Sequence, residues 1–265
     1  MIDLHVHTSL CGHASGSVRD YVEAAGEAGV GTLCFTDHLP LPDGFPSGYS
    51  MTWTDLPAYV HDVRDAAERS AREGGPEVLV GIEADWLPGH EMLVAGATRA
   101  HPFDFVLGSV HFIDGWAFDD PDEIAGYAEW TYDALWARYF DDLAAAASSG
   151  LFDAMAHPDL IKKFGGRPES DPGPWYEEIA AVLAECGVAV EVSTAGLRKP
   201  CAEIYPAPDL LAACRRHGVA ATMGSDAHAP EDVGYRMDAA RQLLLEVGYG
   251  KVLVWRDRVP REVPL

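Results

Sequence analysis

Short apolar runs alternate with amphipathic stretches along the whole chain, and this alternation sets the expected architecture. Ile2 to Val6 reads as a first strand, Val30 to Phe35 as a second, Val78 to Ile82 as a third and Phe105 to Val110 as a fourth. Phe152 to Ala156, Val188 to Val192 and Val219 to Gly224 complete a set of seven. Helical patterns fill the gaps between them. One runs from Val18 to Ala28, with Ser17 as its N-cap and Gly29 as its stop. Others run from a cap at Thr54 to about Arg72, from Pro88-Gly89 through Leu93, and from about Asp122 to Ala147. Pro174 to Cys186, Ala207 to His217 and Glu231 to Val247 follow. Lys251 to Trp255 reads as a last short strand before a charged, loosely held tail. Strands alternating with helices imply a parallel sheet in an α/β protein, here one domain over residues 1–265.

The residues just past the strands decide between an open sheet and a barrel. His5 and His7 are two apart on the first strand, so an extended backbone points them the same way. Asp226 and His228 repeat that spacing after the seventh. Between them, His38, Glu83, His111 and His157 end the second to fifth strands, and His13 follows the first in a loop. Ser193, Thr194 and Arg198 follow the sixth. A closed barrel gathers all these strand ends at one mouth, where barrel enzymes keep their chemistry. An open doubly wound sheet would spread them along an edge. Two long loops, Pro40 to Trp53 and Phe112 to Pro121, leave the same end and can line or cover a site. Their aromatic residues either pack round a flat ring or pack the loops down.

Composition narrows the partners. A net charge of -23 over 265 residues repels phosphate backbones and argues against nucleic acid. A phosphate-bearing substrate would need local cations. Five scattered cysteines with no CxxC spacing indicate neither a disulfide framework nor a zinc ribbon, and a reducing, cytoplasmic location is expected. Cys11 and Cys34 read as small apolar packing. No signal peptide is visible, and no apolar run approaches a membrane span.

His5, His7, His13, His38, Glu83, His111, His157, Asp226 and His228 form a donor set without cysteine, suited to zinc, iron or manganese. Nine donors exceed the needs of one ion, so two or three divalent ions are expected. Glu83 is the natural bridge, because a carboxylate has two oxygens. Water held by such ions loses a proton near neutral pH and becomes a nucleophile. Arg198 is the expected fork to a phosphate oxygen. Lys199, Lys162 and Lys163 are further candidates, and Asp37 is placed to orient a ligand histidine. Asp85, Asp114 and Asp119 could receive an ammonium group but read more simply as solvated loop carboxylates. His61, His90, His101 and His217 fall outside the pattern and read as surface or structural residues.

The chain resembles the PHP (polymerase and histidinol phosphatase) family, and within it the monofunctional histidinol-phosphatases. The matching stretches are DLHVHT at 3–8, TDH at 36–38, GIEADW at 81–86, GSVH at 108–111, AHPDLIKKFG at 156–165, EVSTAGLRKP at 191–200 and GSDAH at 224–228. The resemblance implies a distorted (β/α)7 barrel. It implies one ion held by His5, His7, Glu83 and Asp226, a second by Glu83, His111 and His157, and a third by His13, His38 and His228. Arg198, Asp226 and His228 would be catalytic, and Arg198, Lys199 and Lys162 would bind substrate. The implied reaction is hydrolysis of L-histidinol phosphate, a small phosphorylated metabolite, to L-histidinol and phosphate in histidine biosynthesis. The competing readings are a phosphoesterase for another small phosphomonoester or nucleotide, and a metal-binding domain without catalysis. Amidohydrolases share the opening HxH, but many bridge their metals with a modified lysine, and no lysine ends a strand before Lys162.

Overall fold

A computed structural model describes residues 1–46 and 48–265. The apolar runs form seven parallel strands: β1 (Ile2–Val6), β2 (Thr32–Phe35), β3 (Glu77–Asp85), β4 (Phe105–Ser109), β7 (Ala154–Met155), β8 (Ala189–Ser193) and β9 (Ala221–Gly224). They pair in chain order, β1-β2-β3-β4-β7-β8-β9. The ring is completed at the mouth, where Val6 bridges Ala227 and His7 N donates to the Ala227 carbonyl at 2.9 Å. β5 (Phe112–Ile113) and β6 (Trp116–Ala117) are a small separate hairpin in the loop after β4. The protein is thus a nearly closed barrel. β1, β4 and β8 are buried at every position, because side chains inside the barrel and helices outside cover both faces.

The helices are α1 (Val18–Ala28), α2 (Leu56–Glu73), α3 (Glu91–Ala100), α4 (Tyr132–Ser148), α5 (Gly173–Cys186), α6 (Pro208–His217) and α7 (Met237–Val247). α1 starts in a full capping box between Ser17 and Asp20 and stops at Gly29, as its sequence predicts. Four expectations change. Asp55, not Thr54, precedes α2, and it makes no side-chain cap bond. α3 begins at Glu91 and continues to Ala100, because Val94 and Ala97 supply a buried face beyond Leu93. The helix expected over 122–147 is two pieces, a 3-10 stretch at Pro121–Glu129 and then α4. Gly126 lies against the Trp116 indole, and Thr131 caps α4 by accepting from Ala134 N at 3.3 Å. The helix expected over 231–247 starts only at Met237, after left-handed Gly234 and Arg236. Its backbone is diverted because Gly234 N donates to buried Asp3 Oδ2 at 2.8 Å.

The C-terminal tail is not loosely held. β10 (Lys251–Arg256) and β11 (Val259–Pro264) form an antiparallel hairpin across the end of the barrel opposite the mouth. Trp255 stacks on Phe105 with centroids 4.6 Å apart. Arg258 grips Asp153 at 3.0 Å and the Leu151 carbonyl at 2.8 Å, and Arg256 pairs with Glu77 through Nε at 2.6 Å. These partners lie at the starts of β3 and β7, so the hairpin plugs the floor. Pro260 and Pro264 lie in the exposed outer strand, where a missing N–H discourages further strand pairing.

Candidate metal centre

All nine predicted donors meet at the C-terminal mouth. Two donors bound at about 2.0–2.2 Å to one ion lie about 3.0–3.5 Å from each other. Four atoms of this structure meet that spacing closely. His5 Nε2 lies 3.0 Å from His7 Nε2 and 3.2 Å from Glu83 Oε2, and His7 Nε2 lies 3.1 Å from Asp226 Oδ1. Two further edges of this group, His7 to Glu83 and His5 to Asp226, are 3.5 and 3.6 Å. The second oxygen of Glu83 faces a different pair, with His157 Nε2 at 3.2 Å and His111 Nε2 at 3.7 Å. A third group lies nearer solvent, where His13 Nε2 and His228 Nε2 are 3.0 Å apart; the His38 ring is tilted beside His13 with centroids 5.4 Å apart, and its Nδ1 lies 3.2 Å from Glu83 Oε2. Ligand atoms of His7, His38 and His228 also fall within metal-binding reach of one another.

The hydrogen bonds on the far side of four of the rings show what the centre needs. His5 Nδ1 lies 2.8 Å from Glu191 Oε1, His111 Nδ1 2.8 Å from Asp85 Oδ1, His13 Nδ1 3.1 Å from the Cys11 carbonyl, and His228 Nδ1 3.1 Å from the Asp226 carbonyl. Oxygen acceptors hold the proton on Nδ1 and leave each Nε2 with a lone pair aimed inward. Two such lone pairs 3.0 Å apart repel unless a cation lies between them. Glu83 Oε2 is itself buried without a hydrogen-bond partner among the described residues. The donor set therefore fits divalent ions.

Burial and charge tell the same story. Burial alone would raise the carboxyl of Glu83, yet His5, His38 and His157 hold it well below its usual value. Asp226 behaves alike, with His5 and His7 opposing its burial. Burial works to lower His7, but Asp226 and Asp37 outweigh it and lift the ring to about 9. Burial likewise works to lower His111, but Asp85 and Glu83 outweigh it and lift the ring to about 10. His38 and His228 go well below the ordinary value, burial first and neighbouring imidazoles second. Protons thus supply part of the positive charge that the buried carboxylates demand.

Local backbone supports the arrangement. His157 and Asp226 adopt positive φ of 27° and 53°, uncommon for residues other than glycine. Asp226 and His228 therefore converge through a turn, not through the extended alternation expected from their spacing. A Cβ at Gly224 would come within 2.3 Å of Glu191 Oε1 and 2.4 Å of His5 Cβ, so only glycine lets that pair approach. Asp37 Oδ1 lies 3.6 Å from His7 Nδ1, beyond hydrogen-bond distance, and Asp37 Oδ2 accepts from Thr8 N at 3.1 Å. Asp3 accepts from Ser225 N and Ser225 Oγ at 2.8 and 2.6 Å, tying β1 to the loop after β9.

Beside the centre is a cavity of about 250 Å³, walled by Arg198, Lys199, Lys163, Asp119, Tyr49 and Phe112 among others. Arg198 Nη2 donates to the Ser225 and Asp226 carbonyls at 2.9 and 3.0 Å, while Nη1 is buried with no hydrogen-bond partner among the described residues. Burial lowers the Lys199 ammonium. Lys162, expected at the substrate, is instead buried away from the cavity. Its ammonium is taken by Asp159 at 2.8 Å, the Ile204 carbonyl at 2.9 Å and Glu203 at 3.3 Å. Lys163 holds the cavity position. Of the loop aromatics, Tyr49 and Phe112 line the cavity, whereas Phe118 is buried in the main core.

Two carboxylates exceed their sequence reading. Glu191 was not singled out, yet it is buried and holds both His5 Nδ1 and His157 N, the latter at 2.9 Å. The signal was a lone charge inside the apolar run Val188 to Val192. Asp85 is buried against His111 and is not a solvated loop residue. Cys11 lies near His13 and His228, but burial pushes its thiol up to about 12, which keeps it protonated.

A parallel barrel with a multi-histidine mouth defines a class of metal-dependent hydrolases, and comparison with known proteins specifies it. The chain belongs to the PHP domain family, whose model matches residues 3–195. It is 42% identical over 259 residues to "Probable histidinol-phosphatase" of Deinococcus radiodurans, covering 97% of each chain. It is 26% identical to "Histidinol-phosphatase" of Bacillus subtilis, over 89% of this chain and 97% of that one. In fold it is similar to histidinol phosphate phosphatase from Lactococcus lactis, solved with Zn, L-histidinol and phosphate, with TM-score 0.84, 22% identity and 98% of each chain covered.

Proposed function

We propose that this protein hydrolyses L-histidinol phosphate to L-histidinol and phosphate with two or three divalent ions at the barrel mouth. The observation that carries the reading is the division of donors by Glu83. Each of its oxygens faces its own set of imidazoles, beside a cavity wall that carries the Arg198 side chain. The names of the relatives, at 42% and 26% identity over most of the chain, support the substrate.

In this reading His5, His7, Glu83 and Asp226 hold one ion, Glu83, His111 and His157 a second, and His13, His38 and His228 a third. Zinc, iron and manganese all suit such donors. Bound there, these ions lower the pKa of water and offset charge on the phosphate. The chain's own residues do the positioning. Glu191 and Asp85 fix the tautomers of His5 and His111, so that each Nε2 lone pair faces inward. Arg198, on the cavity wall, donates to a phosphate oxygen, and its Nη2 contacts to the Ser225 and Asp226 carbonyls aim it. Lys163 and Lys199 add positive charge on the same wall, against the overall charge of -23. Lys162 serves instead as a buried strut between Asp159 and the loop at Ile204.

The test is phosphate release by the metal-loaded protein from L-histidinol phosphate, sugar phosphates and nucleotides, with His157→Ala as control. A preference for L-histidinol phosphate that is lost in the variant is the expected result. Release from other esters but not from this one would move the substrate to another small phosphomonoester.

A further inference from the structure

We infer that Asp119 is the residue that selects for an amine on the substrate, acting from an ion pair with Lys163 that matches the charge pattern of the ester. This rests on the functional reading above and deepens it. The two side chains meet on the cavity wall, Lys163 Nζ 2.9 Å from Asp119 Oδ2. Both are mostly shielded, at 13% and 21% side-chain exposure. Burial would raise the Asp119 carboxyl, but Lys163 and His111 hold it low, so it is an anion at neutral pH.

The pair leaves capacity on both partners. A carboxylate offers about four acceptor positions and an ammonium three donors, and here one contact joins them. Lys163 can therefore donate to a phosphate oxygen while Asp119 accepts from an ammonium, and the two need not separate fully. L-Histidinol phosphate carries its phosphate ester and its amine on adjacent carbons, so its anion and cation are also neighbours. Wall and substrate are complementary in charge order.

Asp119 is held in place before any ligand arrives. Phe118 and Ala117 are buried beneath it, and Asp120 accepts from Asp122 N at 2.8 Å and pairs with the Tyr49 hydroxyl. A carboxylate fixed in this way loses little freedom on binding. The other carboxylate on this wall outside the metal centre, Asp232, lies beside Arg198 Nε at 3.6 Å and at the more open rim. Asp119 thus combines shielding with spare acceptor capacity.

The experiment compares kcat/KM of the metal-loaded enzyme for L-histidinol phosphate and for 3-(imidazol-4-yl)propyl phosphate, the same ester without the amine. Asp119→Asn should lower the value for the amine-bearing ester by about 10- to 100-fold, as expected for losing a charged hydrogen bond, and leave the other within about threefold. The loss should fall mainly on KM, with bound metal unchanged. Lys163→Met should weaken both esters alike. Equal losses on both esters in Asp119→Asn would make Asp119 a mere support for Lys163 and overturn the assignment. Loss of bound metal in that variant would place it with the metal centre, and also overturn it. Wild-type enzyme inactive on both esters but active on other phosphomonoesters would instead overturn the functional reading.

Discussion

Replacing Glu191 by Gln tests the tautomer argument without changing side-chain volume. Glu191 accepts from two donors at once, His5 Nδ1 at 2.8 Å and His157 N at 2.9 Å, in a site that is 1% exposed. Glutamine has one acceptor oxygen and one NH2. The backbone N–H of His157 is always a donor, so it takes the oxygen. The NH2 then faces His5 Nδ1 and favours the tautomer with its proton on Nε2, the nitrogen needed for metal. The alternative orientation sets NH2 against N–H. Either way one buried hydrogen bond to a charged group is lost, worth about 1.5–3 kcal/mol, which corresponds to about 10- to 100-fold in affinity. Competition with a chelator of known affinity should show metal binding weakened by that factor, with phosphate release falling in parallel. Metal affinity within about twofold of wild type would refute the reasoning.

Further outcomes follow from the same geometry. Glu83→Gln should cost at least two ions by elemental analysis, since each oxygen faces a separate donor set; loss of one ion alone would break the bridging argument. Loading metal-free protein near pH 7.5 should release protons, because His7 sits at about 9 and His111 at about 10 and both must deprotonate to bind. Calorimetry in buffers of different ionisation enthalpy measures that number. The same raised values stabilise the metal-free fold fully below the ordinary pKa of about 6.5, and that contribution is lost as pH rises through 9 and 10. Its melting temperature should therefore fall over that window, and a flat profile would contradict the charge analysis. Arg258→Ala should destabilise the protein by about 1–3 kcal/mol in urea, because Asp153 at the barrel floor loses its cation and keeps only the bond from Val106 N. An unchanged midpoint would mean that the C-terminal hairpin is not a structural plug.

The strands and the metal donors were legible because both are local signals. An apolar run followed by His, Asp or Glu marks a strand and its mouth-facing end together. What escaped depends on partners distant in sequence. Arg256, Asp257 and Arg258 read as a charged tail because Glu77, Asp104 and Asp153, which hold them, lie more than a hundred residues away. The late start of α7 depends on Gly234 N reaching Asp3 at the other end of the chain. Lys162 and Lys163 are adjacent and chemically alike, and only the short 3-10 turn at Leu160–Lys162 decides which one faces the cavity. Glu191 was hidden by its apolar neighbours, although a carboxylate in a doubly buried strand is costly enough to demand a partner.

The most direct test is phosphate release from L-histidinol phosphate by one preparation assayed three ways: as purified, stripped by chelator, and reloaded with zinc, iron or manganese. The account predicts turnover that disappears on stripping and returns on reloading with at least one of these ions, with L-histidinol phosphate preferred over sugar phosphates and nucleotides. Undiminished turnover in fully stripped protein, or none in reloaded protein that binds two or more ions, would contradict it.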